Sequence, residues 1–212
     1  MNKIPTFVIN LEKRKERKAH IIKQFNKRTE FNVHIVKAIE NKNGALGLWQ
    51  TITQIVQQAN QRQDEYILIC EDDHEFMDHY NKEAFFYVIK TCGQKKEADI
   101  LLGGVSWFYD ALRIDRNLYW IDKFTGTQFI IIFRKFYDAI LGYEFKNGDT
   151  ADKIIYELTD NNFLIYPYIS TQKEFGYSDA TVDNNAEGRV TKLFDESMAV
   201  IDNLDKVNQF YK

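Results

Sequence analysis

The stretch that decides the fold is Tyr66-Ile67-Leu68-Ile69-Cys70-Glu71-Asp72-Asp73-His74-Glu75-Phe76. An apolar run from Tyr66 to Cys70 follows Asp64-Glu65 and leads directly into three carboxylates. A short apolar run bounded by charge reads as a strand buried on both faces, at the centre of a sheet. Open α/β sheets bind ligands outside the carboxyl ends of their strands, so the acids stand where chemistry is expected. In extended backbone, residues two apart face the same way. Glu71 and Asp73 are therefore expected to point together and Asp72 to point elsewhere. Two hard oxygen donors on one side suit Mg2+ or Mn2+, which take carboxylates together with substrate phosphates. The plain alternative is an acidic loop capping the next helix. His74 reads either as a further ligand or as an exposed loop histidine.

Outward from this point, strands and helices alternate. Thr6 to Leu11 reads as a buried strand, and Ala19, Ile21, Ile22 and Phe25 give the following helix its apolar face. Phe31 to Val36 alternates as a strand, Asn41 to Gly44 reads as a turn, and Leu48, Ile52, Ile55, Val56 and Ala59 recur at helical spacing. A helix from Glu83 to Lys90 and a strand from Asp99 to Leu102 continue the alternation. The second half is less regular. Strands are expected at Leu118 to Ile121, Gln128 to Ile132 and Leu164 to Tyr166. Helices are expected at Phe136 to Leu141, at Thr150 to Leu158 with Thr150 or Asp149 as cap, and from Val190 to the end. The expected fold class is α/β, a Rossmann-type, mostly parallel sheet flanked by helices, with a mixed second half. One domain is expected over residues 1–212. Residues 1–104 form a ligand-binding half, 105–190 the opposite half and 190–212 a terminal helix.

The bulk properties narrow the function. The 212 residues carry 28 basic and 31 acidic side chains, a net charge of −3, which leaves no footprint for nucleic acid. The two cysteines, Cys70 and Cys92, lack ligand-like spacing and point to a reducing compartment. The chain opens without a signal-peptide pattern, and no stretch approaches the ~20 apolar residues of a membrane span. The expectation is a cytoplasmic protein, with peripheral membrane association left open.

Four segments, in order, carry a resemblance to a known family. They are FVINLEKRKERK at Phe7 to Lys18, VKAIENKNGALG at Val36 to Gly47, YILICEDDHEF at Tyr66 to Phe76, and IYPYISTQKEFGYSD at Ile165 to Asp179. In these features the chain resembles glycosyltransferase family 25, the lipooligosaccharide-biosynthesis and collagen-galactosyltransferase group. The resemblance implies a GT-A-like fold, a UDP-sugar donor (most often UDP-galactose), Mn2+ or Mg2+, and inverting transfer to a glycan or lipid-linked glycan acceptor. It departs from the family where Glu40 stands for the usual aspartate, where no histidine after His79 offers a third metal ligand, and in one further place. The family carries Ser-His in the helix after the glycine turn, whereas here Thr51 stands for the serine and no histidine follows.

Roles follow from the residue chemistry and the resemblance together. Asn10 and Leu11, ending the first strand, are candidates to hold the base and ribose through their backbone. Arg14 and Arg17 are candidates for the diphosphate at a helix start. Glu71 and Asp73 are the expected metal ligands, with Asp179 as a third, and Asp72 is assigned to ribose or sugar hydroxyls. Asp152 is the candidate base on the acceptor hydroxyl. Gln172, Ser178 and Asp179 are expected to line the site. Two alternatives stay open. One is a GT-A-like binding protein that has lost catalysis. The other is a different metal enzyme acting on phosphates.

Overall fold

The computed structural model describes residues 3–176 and 186–210. In the first half, β1 (Ile4–Asn10), α1 (Lys15–Phe25), β2 (Phe31–Lys37), α2 (Gly44–Arg62), β3 (Tyr66–Glu71), β4 (His74–Phe76), α3 (Lys82–Thr91) and β5 (Ile100–Leu102) follow one another. The second half carries β6 (Trp107–Phe108), β7 (Ala111–Asp115), β8 (Leu118–Ile121), β9 (Phe124–Thr125), β10 (Phe129–Phe133), α4 (Tyr137–Leu141), α5 (Ala151–Leu158), β11 (Asn162–Ile165), β12 (Ser170–Gln172) and α6 (Arg189–Gln209).

Eight strands form one sheet in the order β2-β1-β3-β10-β5-β11-β8-β7. β1 pairs in parallel with both β2 and β3, and β11 with β5; the β10 pairings and the β8 pairings are antiparallel. Six strands thus run one way, with β10 and β8 reversed. The expected class, a large and mostly parallel sheet flanked by helices with a mixed second half, is borne out.

Strict alternation along the inner strands divides the core in two. Phe7 and Ile9, Ile67 and Ile69, and Ile130 and Ile132 face α2, α4, α5 and α6. Val8, Leu68, Cys70, Phe129 and Ile131 face α1 and α3. Residues 67–70 of β3 are all buried, as a continuous apolar run demands. On α1 the buried stripe is Ile21 and Phe25, while Ile22, expected on that face, is 52% exposed. Among the described residues, no helix is long and apolar enough to cross a membrane.

The turn between β2 and α2 is built with unusual closeness. The Asn43 side chain caps α2 by accepting from the Ala45 and Leu46 amides. Gly47 lies so near the chain that a Cβ there would sit 2.4 Å from the Ile39 carbonyl oxygen. The fully buried Thr51 completes the junction. Its hydroxyl donates to the Gly47 carbonyl at 2.8 Å and accepts from the Ile39 amide at 2.9 Å. A hydroxyl is what this position needs. Thr51→Val should strand the Ile39 amide and destabilise the fold by about 1–3 kcal/mol, whereas Thr51→Ser should stay within about 1 kcal/mol of the parent. Urea unfolding followed by circular dichroism measures both, and equal losses would contradict the tether.

Candidate functional site

A cavity of about 690 Å3 opens where β1 and β3 end. Its lining draws on the starts of four helices: Arg14 and Arg17 at α1, Gly44 and Ala45 at α2, Ala151 to Lys153 at α5, and Arg189 and Val190 at α6. Helix amino-termini carry unpaired N–H groups and partial positive charge, so together they favour an anionic ligand. The three acids of the β3 end, Glu71, Asp72 and Asp73, form part of the same lining.

The acids do not alternate as extended backbone would place them. β3 stops at Glu71, and Asp72-Asp73 make a tight turn into β4. The turn brings Asp72 and Asp73 to the same partner instead of to opposite faces. Arg17 Nη1 lies 3.2 Å from Asp72 Oδ1 and 3.1 Å from Asp73 Oδ2. The Asn10 amide donates to Asp72 Oδ2 at 2.7 Å. Glu71 takes a separate partner, accepting from the Thr127 hydroxyl at 2.7 Å.

Burial at the cavity floor opposes ionisation. It is the leading cause that pushes Glu71 from an ordinary 4.5 up to about 8. The negative charges of Asp73, Asp72 and Asp152 push the same way, and the Thr127 hydroxyl pulls back. Asp73 rises from 3.8 to about 6 through burial, with Arg17 pulling it down and Asp72 pushing it up. Asp72 is also raised by burial, against the pull of the Asn10 amide and Arg17.

One guanidinium thus serves two of the three acids, and Glu71 takes only a neutral hydroxyl. Among the described residues, the buried Asp73 Oδ1 has no hydrogen-bond partner. Hard oxygen donors in this condition suit a divalent cation such as Mg2+ or Mn2+. Among the described residues, no group of three His, Cys, Asp or Glu side chains is gathered as a ligand set. Asp179, the expected third ligand, and Ser178 lie outside the described residues.

Asp152 stands in the first turn of α5, in the same lining as Glu71. Its Oδ2 accepts from the Gly126 amide at 3.2 Å, and its Oδ1 from the Lys153 amide and the Thr150 hydroxyl. Thr150 is the residue preceding α5, as expected, but its hydroxyl serves Asp152 and makes no cap. Leu11 and Gln172 line the cavity, while Asn10 is buried beneath it. The Asn10 carbonyl accepts from the Ala38 amide and the Leu11 carbonyl from the Arg14 amide, and each oxygen keeps a second lone pair.

His74 is neither an exposed loop residue nor part of the lining. It is fully buried among Phe25, Phe76 and Phe129, with Nδ1 2.8 Å from Ser170 Oγ. Gly104 serves packing, since a Cβ there would meet the Ser170 carbonyl oxygen at 2.1 Å. Three residues of the site went unread in the sequence. Thr127 holds Glu71, Lys173 donates its amide to Asp73 O at 2.7 Å, and the Phe175 ring lies 4.9 Å from the Arg17 guanidinium. Thr127 and Phe175 carry no local signal. Lys173 acts through its backbone, which no side chain announces.

Residues 3–62 match the sequence model of glycosyltransferase family 25 (LPS biosynthesis protein). That span runs from β1 through α2, and over it the resemblance read from the sequence is borne out. The match supports a transferase, with sugar transfer as its general chemistry. No curated protein matches the chain significantly. Among solved structures, A197 from STIV superposes with a TM-score of 0.51 at 9% identity, covering 84% of this chain and 87% of that one. That likeness speaks for the fold alone. Looser superpositions include an apo UDP-glucose pyrophosphorylase, with TM-score 0.47, 11% identity and 89% and 81% coverage. Another is a glycosyltransferase involved in the glycosylation of the major capsid of PBCV-1, with TM-score 0.41, 12% identity and 74% and 66% coverage.

The raised Glu71 has a consequence for stability. The folded chain holds this proton more tightly than the unfolded chain does, so stability falls as pH rises from about 4.5 to about 8. In protein freed of divalent cations, Glu71→Gln should raise Tm at pH 7.5 by at least about 2–4 °C, the equivalent of ~1 kcal/mol in a domain of this size. The gain should vanish near pH 4.5. Thermal unfolding across that range measures it, and a variant less stable than the parent at pH 7.5 would contradict the assigned cost.

Proposed function

We propose that this chain is a metal-dependent, inverting glycosyltransferase that moves a sugar, galactose by family resemblance, from a UDP-sugar to a hydroxyl of a glycan or lipid-linked glycan acceptor. One observation carries the reading. The segment matching the glycosyltransferase family and the acidic end of the central strand face one cavity, which also gathers four helix starts. Arg14, Arg17 and the helix starts bind the donor's phosphates. Glu71 and Asp73 hold Mn2+ or Mg2+, with Asp179 as the proposed third ligand. Bound there, the cation supplies Lewis-acid neutralisation of the charge that builds on the departing nucleotide diphosphate.

Asp72 and Asn10 take a different part from the one their sequence position suggests. The Asn10 side chain and Arg17 engage Asp72, so both shape the acid turn. The nucleoside lies against Leu11 and the turn around Ile39 to Asn41, which the Thr51 hydroxyl and Gly47 draw close to α2. Retention of that hydroxyl, despite the missing family histidine, favours an active enzyme over a lapsed one.

Asp152 is the proposed base. Three donors orient its carboxylate, and Oδ2, with a single partner, keeps a lone pair for the acceptor hydroxyl's proton. The acceptor enters on the side of the cavity formed by Gly126, Asp152 and Gln172. The general sugar-transfer reading favours cytoplasmic assembly of a surface polysaccharide or lipooligosaccharide, where nucleotide sugars are available.

Two measurements test this reading. A thermal-shift screen of UDP-, GDP- and CMP-sugars with and without Mn2+ should show stabilisation by UDP-sugar plus Mn2+, and Asp73→Ala should abolish that shift. Stabilisation by no nucleotide sugar under any condition would sink the proposal. With an acceptor in hand, Asp152→Asn should lower kcat by about 10²–10⁴ while UDP affinity stays within about threefold, separating base from binding residue.

A further inference from the structure

The acid turn already contains a cation of its own. The Arg17 side chain is 11% exposed, between Asp72 and Asp73, whose side chains are 11% and 16% exposed. A single nitrogen, Nη1, reaches both carboxylates. Asp72 is also fixed from behind by the Asn10 amide, so the turn keeps its shape if the guanidinium leaves it. Asp73 meets Arg17 through Oδ2, and its buried Oδ1 has no hydrogen-bond partner among the described residues. The Phe175 ring keeps the guanidinium beside the acids through a cation–π contact.

An arginine stays charged at every working pH, so it cannot make room for a second cation by losing a proton. A divalent ion on Asp73 would lie within a few ångströms of that guanidinium, in a part-buried place where like charges are weakly screened. The guanidinium therefore opposes the approach of a second cation to Asp73. The donor's phosphates offer Arg17 a better partner, since a guanidinium pairs with phosphate oxygens in a bidentate fork.

We infer that Arg17 is a built-in competitor of the catalytic cation: it neutralises Asp72 and Asp73 in the empty site and yields Asp73 when the cation and the nucleotide diphosphate arrive. This inference rests on the proposed metal-dependent reading. It makes the two ligands mutually dependent, because the phosphates remove the cation's rival and the cation releases the phosphates' partner. Arg17 acts through Asp72 and Asp73 in the empty site and on the phosphates in the loaded one.

Mn2+ binding to the full chain without nucleotide, followed by electron paramagnetic resonance of the free ion, tests the inference. Arg17→Gln should tighten Mn2+ by about tenfold or more, a free-energy change of ~1.4 kcal/mol. Arg17→Met, whose stem still packs on Phe175, should do the same if the glutamine variant does not fold. Arg17→Lys keeps the charge and should stay within about threefold of the parent. Lys15→Gln removes an equal charge from the same helix start, away from the cavity lining, and should also stay within about threefold. Weaker or unchanged binding in the Gln and Met variants would overturn the inference, because Arg17 would then be a prop for the ligands. Equal tightening in Lys15→Gln would overturn it in favour of a general field effect. Parent binding with no gain in the variants removes only the competitor role. Absence of Mn2+ binding in parent and variants alike removes the metal-dependent reading with it.

Discussion

Three carboxylates at the end of a buried strand cannot be left to themselves. β3 lies inside the sheet, so its last residue and the turn that follows lose hydration while their charges repel. The surrounding elements answer with one group each. Asn10 comes from the end of β1, Arg17 from the first turns of α1, and Thr127 from the loop before β10. The parallel pairing of β1 with β3 sets Ile9 opposite Glu71, which brings Asn10 level with the acid turn. The arrangement is held by these contacts, with one guanidinium shared by Asp72 and Asp73 and a neutral hydroxyl on Glu71.

The reversed strand β10 is as important as the parallel ones. Its pairing begins with Phe129 opposite Cys70, so the loop that leads into β10 arrives beside the carboxyl end of β3. A parallel strand in that place would present its own carboxyl end there. Gly126 and Thr127 thereby link Asp152 on α5 to Glu71 on β3 through two hydrogen bonds. The mixed second half of the sheet is thus part of the site's construction.

The cavity wall on the other side depends on short-range fit. Gly47 and Thr51 hold the β2–α2 turn against its helix, and Glu174 accepts from the Gly188 and Thr191 amides at the start of α6. The threonine makes the buried hydrogen bonds that a serine could make, so the turn is kept at that altered position.

The run from Tyr66 to Glu71, the helical spacing from Leu48 to Ala59 and the alternation of strands and helices already contained the class of the fold, because burial on one or two faces leaves a period in the chain. The acids' position at a strand end was legible for the same reason, and the match over residues 3–62 agrees with the motif order in that part of the chain. Where those acids point was decided by tertiary structure alone. A tight turn at Asp72-Asp73 replaced the expected extended backbone, and Arg17, more than fifty positions earlier, closed the turn. Neither Thr127 on Glu71 nor Phe175 on Arg17 is foreshadowed by spacing or composition. Such pairings arise only when strand order and direction bring distant residues together, and a periodic pattern records which face is buried, not what it meets.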